Sequence, residues 1–309
     1  MDNSQFRQLI QQYIHHSQYE KGLDCKTLKA YNTDLTQFAD FVLDIGGQYT
    51  KETLQAYIAK MNQKYAVKSA KRKLASLKAF FNYLEYEEIL EHNPFSKMRV
   101  KMQEPMRLPR TIPLPTVSSL LQCAYNQRSH YKEDSYSFRA CVRDIAVLEL
   151  LFASGIRISE LCFLRPHSVD LNEGIIKIFG KGAKERLIQI SNDNVLNALI
   201  NYSVAFSNEI DNSSWFFVNR LGHRLSDQSV RQMINKYCKL ANIRQHITPH
   251  MFRHSFATYL LEEDVDIRYI QNLLGHSSIV TTQIYTHVTS KKQRDILAAK
   301  HPRNKITTP

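Results

Sequence analysis

The chain has little cysteine, glycine or proline for its length: five, nine and nine among 309 residues. The five cysteines (Cys25, Cys123, Cys141, Cys162, Cys238) are odd in number, far apart and contain no Cys-x-x-Cys, which argues against a disulfide framework and a cysteine zinc site. Internal repeats and low-complexity tracts are missing. Long apolar runs are missing as well. The longest uncharged stretch, 269–290, is full of Ser, Thr, Gln and His, and residues 1–12 lack a signal-peptide pattern. The sequence therefore predicts a soluble cytoplasmic protein that does not enter a membrane. Acidic residues are short too: 29 Asp plus Glu face 41 Lys plus Arg, giving a formal charge of +12 and a pI near 9.4. Such a surplus favours a polyanionic partner.

At roughly 150 residues per domain, the length predicts two domains. Prolines 94, 105, 109, 113 and 115 cluster around a basic stretch without helical apolar period, which reads as a linker at 97–110 between domains at 1–96 and 111–309. Basic residues outnumber acidic ones in both parts, 17 to 12 up to residue 110 and 24 to 17 after it. Both parts are thus expected to touch the same polyanion.

The N-terminal part reads as helices at 6–14, 28–42, 51–61 and 67–86 from apolar residues at helical spacing. From 60 to 78 there are seven basic residues and no acidic one. Lys68, Lys71, Arg72 and Lys73 are the candidates for gripping a phosphate backbone, against the plainer reading of a solvated lysine-rich face. The C-terminal part is mixed. Helices are predicted at 117–125, 138–154, 195–206, 227–241, 249–261, 267–274 and 279–285, and a strand, glycine-flanked turn and strand at 174–190. At the start of the 227–241 helix, Gln228, Ser229, Arg231 and Gln232 suit a major groove, while Val230, Met233, Ile234 and Tyr237 suit packing.

Thr248-Pro249-His250-Met251-Phe252-Arg253 opens a helix with Thr as N-cap and Pro at its first position, which sets His250 and Arg253 on one face near the positive end of the dipole. His250 and His254 have i, i+4 spacing, but a zincin needs Glu where Met251 stands, so no metal is expected. Arg157 follows the small-residue break at Gly155, with Glu160 as an available ion-pair partner. His276 and Tyr285 stand nine residues apart in the last third.

Taken in order, Arg157, Lys181, His250, Arg253, His276 and Tyr285 resemble the active site of the tyrosine recombinases, also called the phage-integrase family. The boxes are Gly-Ile-Arg-Ile-Ser-Glu-Leu from 155, Gly-Lys-Gly-Ala-Lys-Glu-Arg from 180, Pro-His-Met-Phe-Arg-His from 249, Leu-Gly-His from 274 and Tyr-Thr-His from 285. The C-terminal His301-Pro302-Arg303 makes the chain most similar to compact Xer-type members, from which the longer stretch 126–138 departs.

The resemblance implies a mostly α fold: a helical, SAM-like core-binding domain, then an α+β catalytic domain of helices with a small antiparallel hairpin or sheet. It implies a metal-independent strand transferase without cofactor, in which Tyr285 is the nucleophile, Lys181 the general acid, His250 the helper base, and Arg157, Arg253 and His276 neutralise the phosphate. The implied partner is double-stranded DNA with an inverted-repeat core site, bound by a homotetramer on two duplexes or with a related recombinase, in the nucleoid. A catalytically silent DNA-binding protein and a type IB topoisomerase are the alternatives. The tail beyond 289 carries only a short apolar stripe, expected to add little to its own domain's core and to dock on a neighbouring protomer.

Overall fold

A computed structural model of the chain describes residues 2–96, 98–100, 102, 110–179, 185–275 and 297–306. The chain divides into two compact units, Met1–Arg107 and Leu108–Pro309. Among the described residues no helix is long and apolar enough to cross a membrane.

The first unit holds four helices: α1 (Asn3–Tyr19), α2 (Cys25–Asp44), α3 (Lys51–Lys64) and α4 (Val67–Tyr86). Three begin where a short polar side chain takes up backbone N–H groups that have no intrahelical acceptor: Asp2 with Gln5 in a capping box, Asp24 under Lys26 and Thr27, and Thr50 under Thr53. Their apolar stripes meet in one core. Phe6 of α1 packs edge-on against Phe38 of α2 and Phe80 of α4, with ring centroids 5.9 and 5.3 Å apart.

The second unit runs α5 (Leu114–Ser129), α6 (Tyr136–Ser154), α7 (Ile158–Cys162), β1 (Val169–Asp170), β2 (Ile175–Phe179), β3 (Glu185–Gln189), α8 (Asp193–Ala205), α9 (Ser207–Asp211), α10 (Asp227–Leu240), α11 (Pro249–Glu262) and α12 (Ile267–Leu274). The sheet is antiparallel in the order β1-β2-β3, with Ile176 opposite both Val169 and Ile188. Ile176, Ile178 and Ile188 join the core, which α6 crosses with every residue from 144 to 154 buried. The fold is therefore mostly helical with one small antiparallel sheet. Two-residue β1 and five-residue α7 and α9 were too short to show a period in the sequence. Most of the stretch 126–138 is helix, the last turn of α5 and the first of α6, and the helix expected at 279–285 lies outside the described residues.

The C-terminal tail departs from expectation. Leu297 is buried against Phe256, Leu260, Val265 and Leu273 of its own chain. His301 is buried with its Nε2 on the carbonyl of Ala153, and Arg303 reaches Glu149 inside α6. The expectation that this tail adds little to its own core is thus corrected for residues 297–306, which one leucine side chain and two buried polar anchors hold to their own unit.

Burial drives the His301 imidazole down to about 4, aided by the Arg303 charge, although the Ala153 carbonyl opposes the shift. A histidine depressed below its unfolded value near 6.5 binds protons more readily in the unfolded chain. Its contribution is complete above about 6.5 and is lost as pH falls toward about 4. Urea titrations at about pH 7 and about pH 5 should show that loss in the native protein and a flatter response in His301→Gln.

Candidate active site

Gly155 ends α6 in the left-handed region, φ 58°, and a Cβ there would stand 2.7 Å from the Phe256 ring, so only glycine turns the chain here. The turn makes Arg157 the N-cap of α7. Glu160, three residues on, accepts the Arg157 backbone N–H at 2.9 Å and its Nη1 at 2.7 Å. Arg186 of β3 clasps the same carboxylate with both terminal nitrogens, at 3.0 and 2.7 Å, and donates Nε to the Leu273 carbonyl. Burial raises the Glu160 pKa, but Arg186 and then Arg157 outweigh it and hold the carboxyl below its ordinary range.

Arg253 comes from the first turn of α11 and is 8% exposed. Its Nη1 donates to the Gly155 carbonyl at 2.8 Å and its Nη2 to the Leu274 carbonyl at 2.6 Å. Arg157 Nη2 donates to the next carbonyl, Gly275, at 3.1 Å. Two guanidinium groups are therefore moored to neighbouring carbonyls at the C-terminal end of α12, next to a third that Glu160 neutralises. Burial, and then repulsion from Arg157, push the Arg253 guanidinium down to about 10. It stays charged at neutral pH. Three cations over one carboxylate make a pocket that calls for an anion.

His250 is exposed on the same first turn of α11 as Arg253. Lys181, His276 and Tyr285 lie outside the described residues. Arg186, which closes the second box, has no role in the sequence reading, and its guanidinium is spent on Glu160. The signal for that pairing was the acidic residue of the first box and the arginine that closes the second.

On α4, Lys68 is exposed, Lys71 half-buried and Arg72 exposed. Lys73 does not belong with them as a phosphate contact. It is 4% exposed, and its Nζ bonds Asp34 Oδ1 at 2.9 Å beneath the Tyr65 ring. Arg72 bonds the other oxygen of the same carboxylate, as does Ser76. The buried Asp34 of α2 takes up positive charge that the sequence placed on the surface. On α10, Gln228, Arg231 and Gln232 are exposed, while Ser229 is half-buried and hydrogen-bonded to the N-cap Ser226 at 2.8 Å.

The chain matches the phage integrase family over residues 126–292 and the phage integrase N-terminal SAM-like domain over 10–88. It belongs to the tyrosine recombinases of that family, which are site-specific recombinases. It is 54% identical over 295 residues to a tyrosine recombinase of Agathobacter rectalis, covering 95% of this chain and 96% of that one. It is 35% identical over 316 residues to tyrosine recombinase XerC of Thermodesulfovibrio yellowstonii, covering 99% of each. Among solved structures, the XerH recombinase bound to palindromic difH substrate in a post-cleavage complex shares the fold with a TM-score of 0.70 at 19% identity, over 96% of this chain and 84% of that one.

Proposed function

We propose that this recombinase cleaves one strand of duplex DNA by attack of the Tyr285 hydroxyl on a backbone phosphorus. The observation that carries the reading is the mooring of Arg157 and Arg253 side by side on the carbonyls of Gly155, Leu274 and Gly275, a charge pair suited to the two non-bridging oxygens of one phosphodiester. Attack forms the bond from tyrosine oxygen to phosphorus and breaks the bond from phosphorus to the 5′ oxygen. His250 takes the phenolic proton, Lys181 supplies one to the departing 5′ oxygen, and His276 shares the charge of the equatorial oxygens. The 3′-phosphotyrosyl link conserves the bond energy, and the 5′ hydroxyl of a partner strand reverses the step. These groups supply the charge and the protons without a metal ion or cofactor.

In this reading residues 1–96 are the core-binding domain, 97–110 the linker and 111–309 the catalytic domain. Lys68, Lys71 and Arg72 hold backbone, and Gln228, Ser229, Arg231 and Gln232 read the major groove. The site is an inverted-repeat core in double-stranded DNA, occupied by a homotetramer, or a tetramer shared with a related recombinase, across two duplexes. The palindromic substrate of XerH supports a two-fold site. The protein acts at the cytoplasmic nucleoid.

Trapping tests the assignment. A duplex nicked just beyond the scissile phosphate releases a short fragment on cleavage, so religation fails and protein-linked DNA accumulates. Linkage through the peptide containing Tyr285 is expected. Linkage through another residue, or none, overturns it.

Lys181 is tested by changing the leaving group. Lys181→Ala should cleave ordinary DNA poorly and recover on DNA whose bridging 5′ oxygen is sulfur, because a thiolate departs without a proton. Absence of selective rescue moves the acid to His250 or Lys184, since Arg186 is held by Glu160.

A further inference from the structure

Away from the Arg157–Arg253 pocket, four side chains of the second unit interleave charge and ring on its surface. Phe163, just past α7, meets Trp215 edge to face with centroids 5.2 Å apart. The Arg165 guanidinium lies 3.9 Å over the Trp215 ring, and that of Arg224 lies 3.9 Å over Phe163. Phe163 is 51% exposed, so the stack leaves a large apolar ring in water and is a poor device for building a core.

Stacking occupies the flat face of a guanidinium and leaves its in-plane N–H groups for an acceptor. Arg165 spends one on the Ser214 carbonyl at 3.1 Å. Arg224 has its Nη1 buried with no hydrogen-bond partner, which leaves its other in-plane N–H groups for an acceptor. Neither arginine is paired with a carboxylate among the described residues. Asp227, the acid on this face, is hydrogen-bonded to the Cys162 thiol.

Phe163 and Arg165 follow α7, whose N-cap is Arg157, and Arg224 stands two residues before Ser226, the N-cap of α10. Arg224 and the exposed Arg231 of α10 both act electrostatically on Cys162, so they share one neighbourhood. The stack thus adjoins the end of α7 and the start of α10, the helix assigned to the groove.

We infer that Arg165 and Arg224, stacked on Trp215 and Phe163, grip backbone phosphates of duplex DNA beside the base pairs that face α10. The inference rests on the DNA-cleaving reading above. An arginine fork fits a phosphate, and the aromatic rings fix its plane so that little rotamer freedom remains to be lost on binding. Such contacts set register and orientation and carry no sequence information.

The test is a salt titration of the full chain on a short duplex of mixed sequence. For the wild type, log K should fall steeply with log salt. Arg165→Gln with Arg224→Gln should lower that slope by about two and weaken every duplex alike. If the double variant fails to fold by circular dichroism, each single variant should lower the slope by about one. Phe163→Leu with Trp215→Leu keeps both charges and should weaken binding with the slope unchanged. A wild-type slope in the arginine variants overturns the grip and leaves the DNA reading intact, and full affinity in the ring variant overturns the positioning role of the rings. A wild type without salt dependence overturns the DNA reading itself.

Discussion

Arg253→Ala will cut the rate of strand cleavage by about 10²- to 10³-fold, the usual cost of removing one donor aimed at developing negative charge. The structure gives reasons beyond the presence of a positive residue. Arg253 keeps its charge although burial and Arg157 both work against it. A cation held in such a place gains more from an arriving anion than one in water, because little solvent remains to screen the attraction. Its Nη1 and Nη2 are already directed to the carbonyls of Gly155 and Leu274, so the guanidinium is oriented before substrate arrives. Arg253→Lys should recover little: one ammonium cannot hold two carbonyls and present a planar pair of donors to the phosphate. Single-turnover cleavage of a nicked duplex measures both variants, and a rate within about threefold of wild type for either would remove Arg253 from the chemistry.

How much was legible beforehand depended on what each residue does. The helices of both units other than α7 and α9 followed from apolar spacing, because a stripe such as Leu74, Leu77, Phe80, Phe81 and Leu84 on α4 is used as written. The Arg157 and Arg253 boxes were legible because each arginine follows a local device, a left-handed glycine or a Thr-Pro cap, that frees its side chain from packing. Lys73 was misread because periodicity ranks a lysine by type and cannot see that Asp34, 39 residues away in sequence, lies buried opposite it. The tail was misread for a related reason. The apolar stripe is short, and what holds the tail besides Leu297 is His301 and Arg303, whose partners Ala153 and Glu149 on α6 stand 148 and 154 residues away in sequence. Long-range polar pairing has no period, so sequence reasoning finds it last.

Glu149 and Arg303 are both fully buried, with Nε to Oε2 at 2.6 Å and Nη2 to Oε1 at 2.7 Å, while Arg303 Nη1 donates to the Ile306 carbonyl and the Tyr125 hydroxyl donates to Glu149 Oε1. Removing one partner strands the other charge without water, so Arg303→Ala and Glu149→Ala should each destabilise the protein by about 3–5 kcal/mol in urea titrations. Removing both together should cost far less than the sum, since the charge left behind by either single change is then gone. Tyr125→Phe, which takes away one neutral donor, should cost about 1 kcal/mol. The effect should reach the active site, because Glu149 lies on the helix whose end at Gly155 supplies a carbonyl to Arg253. A tail released from α6 loses its hold on Ala153, two residues before that glycine. At temperatures where the Arg303→Ala protein is still folded, cleavage should therefore fall with the tail's anchoring while Arg165 and Arg224 keep the wild-type salt slope on duplex DNA. Equal stability of the single variants and the wild type would mean that water reaches the carboxylate and that the pair is not the anchor described.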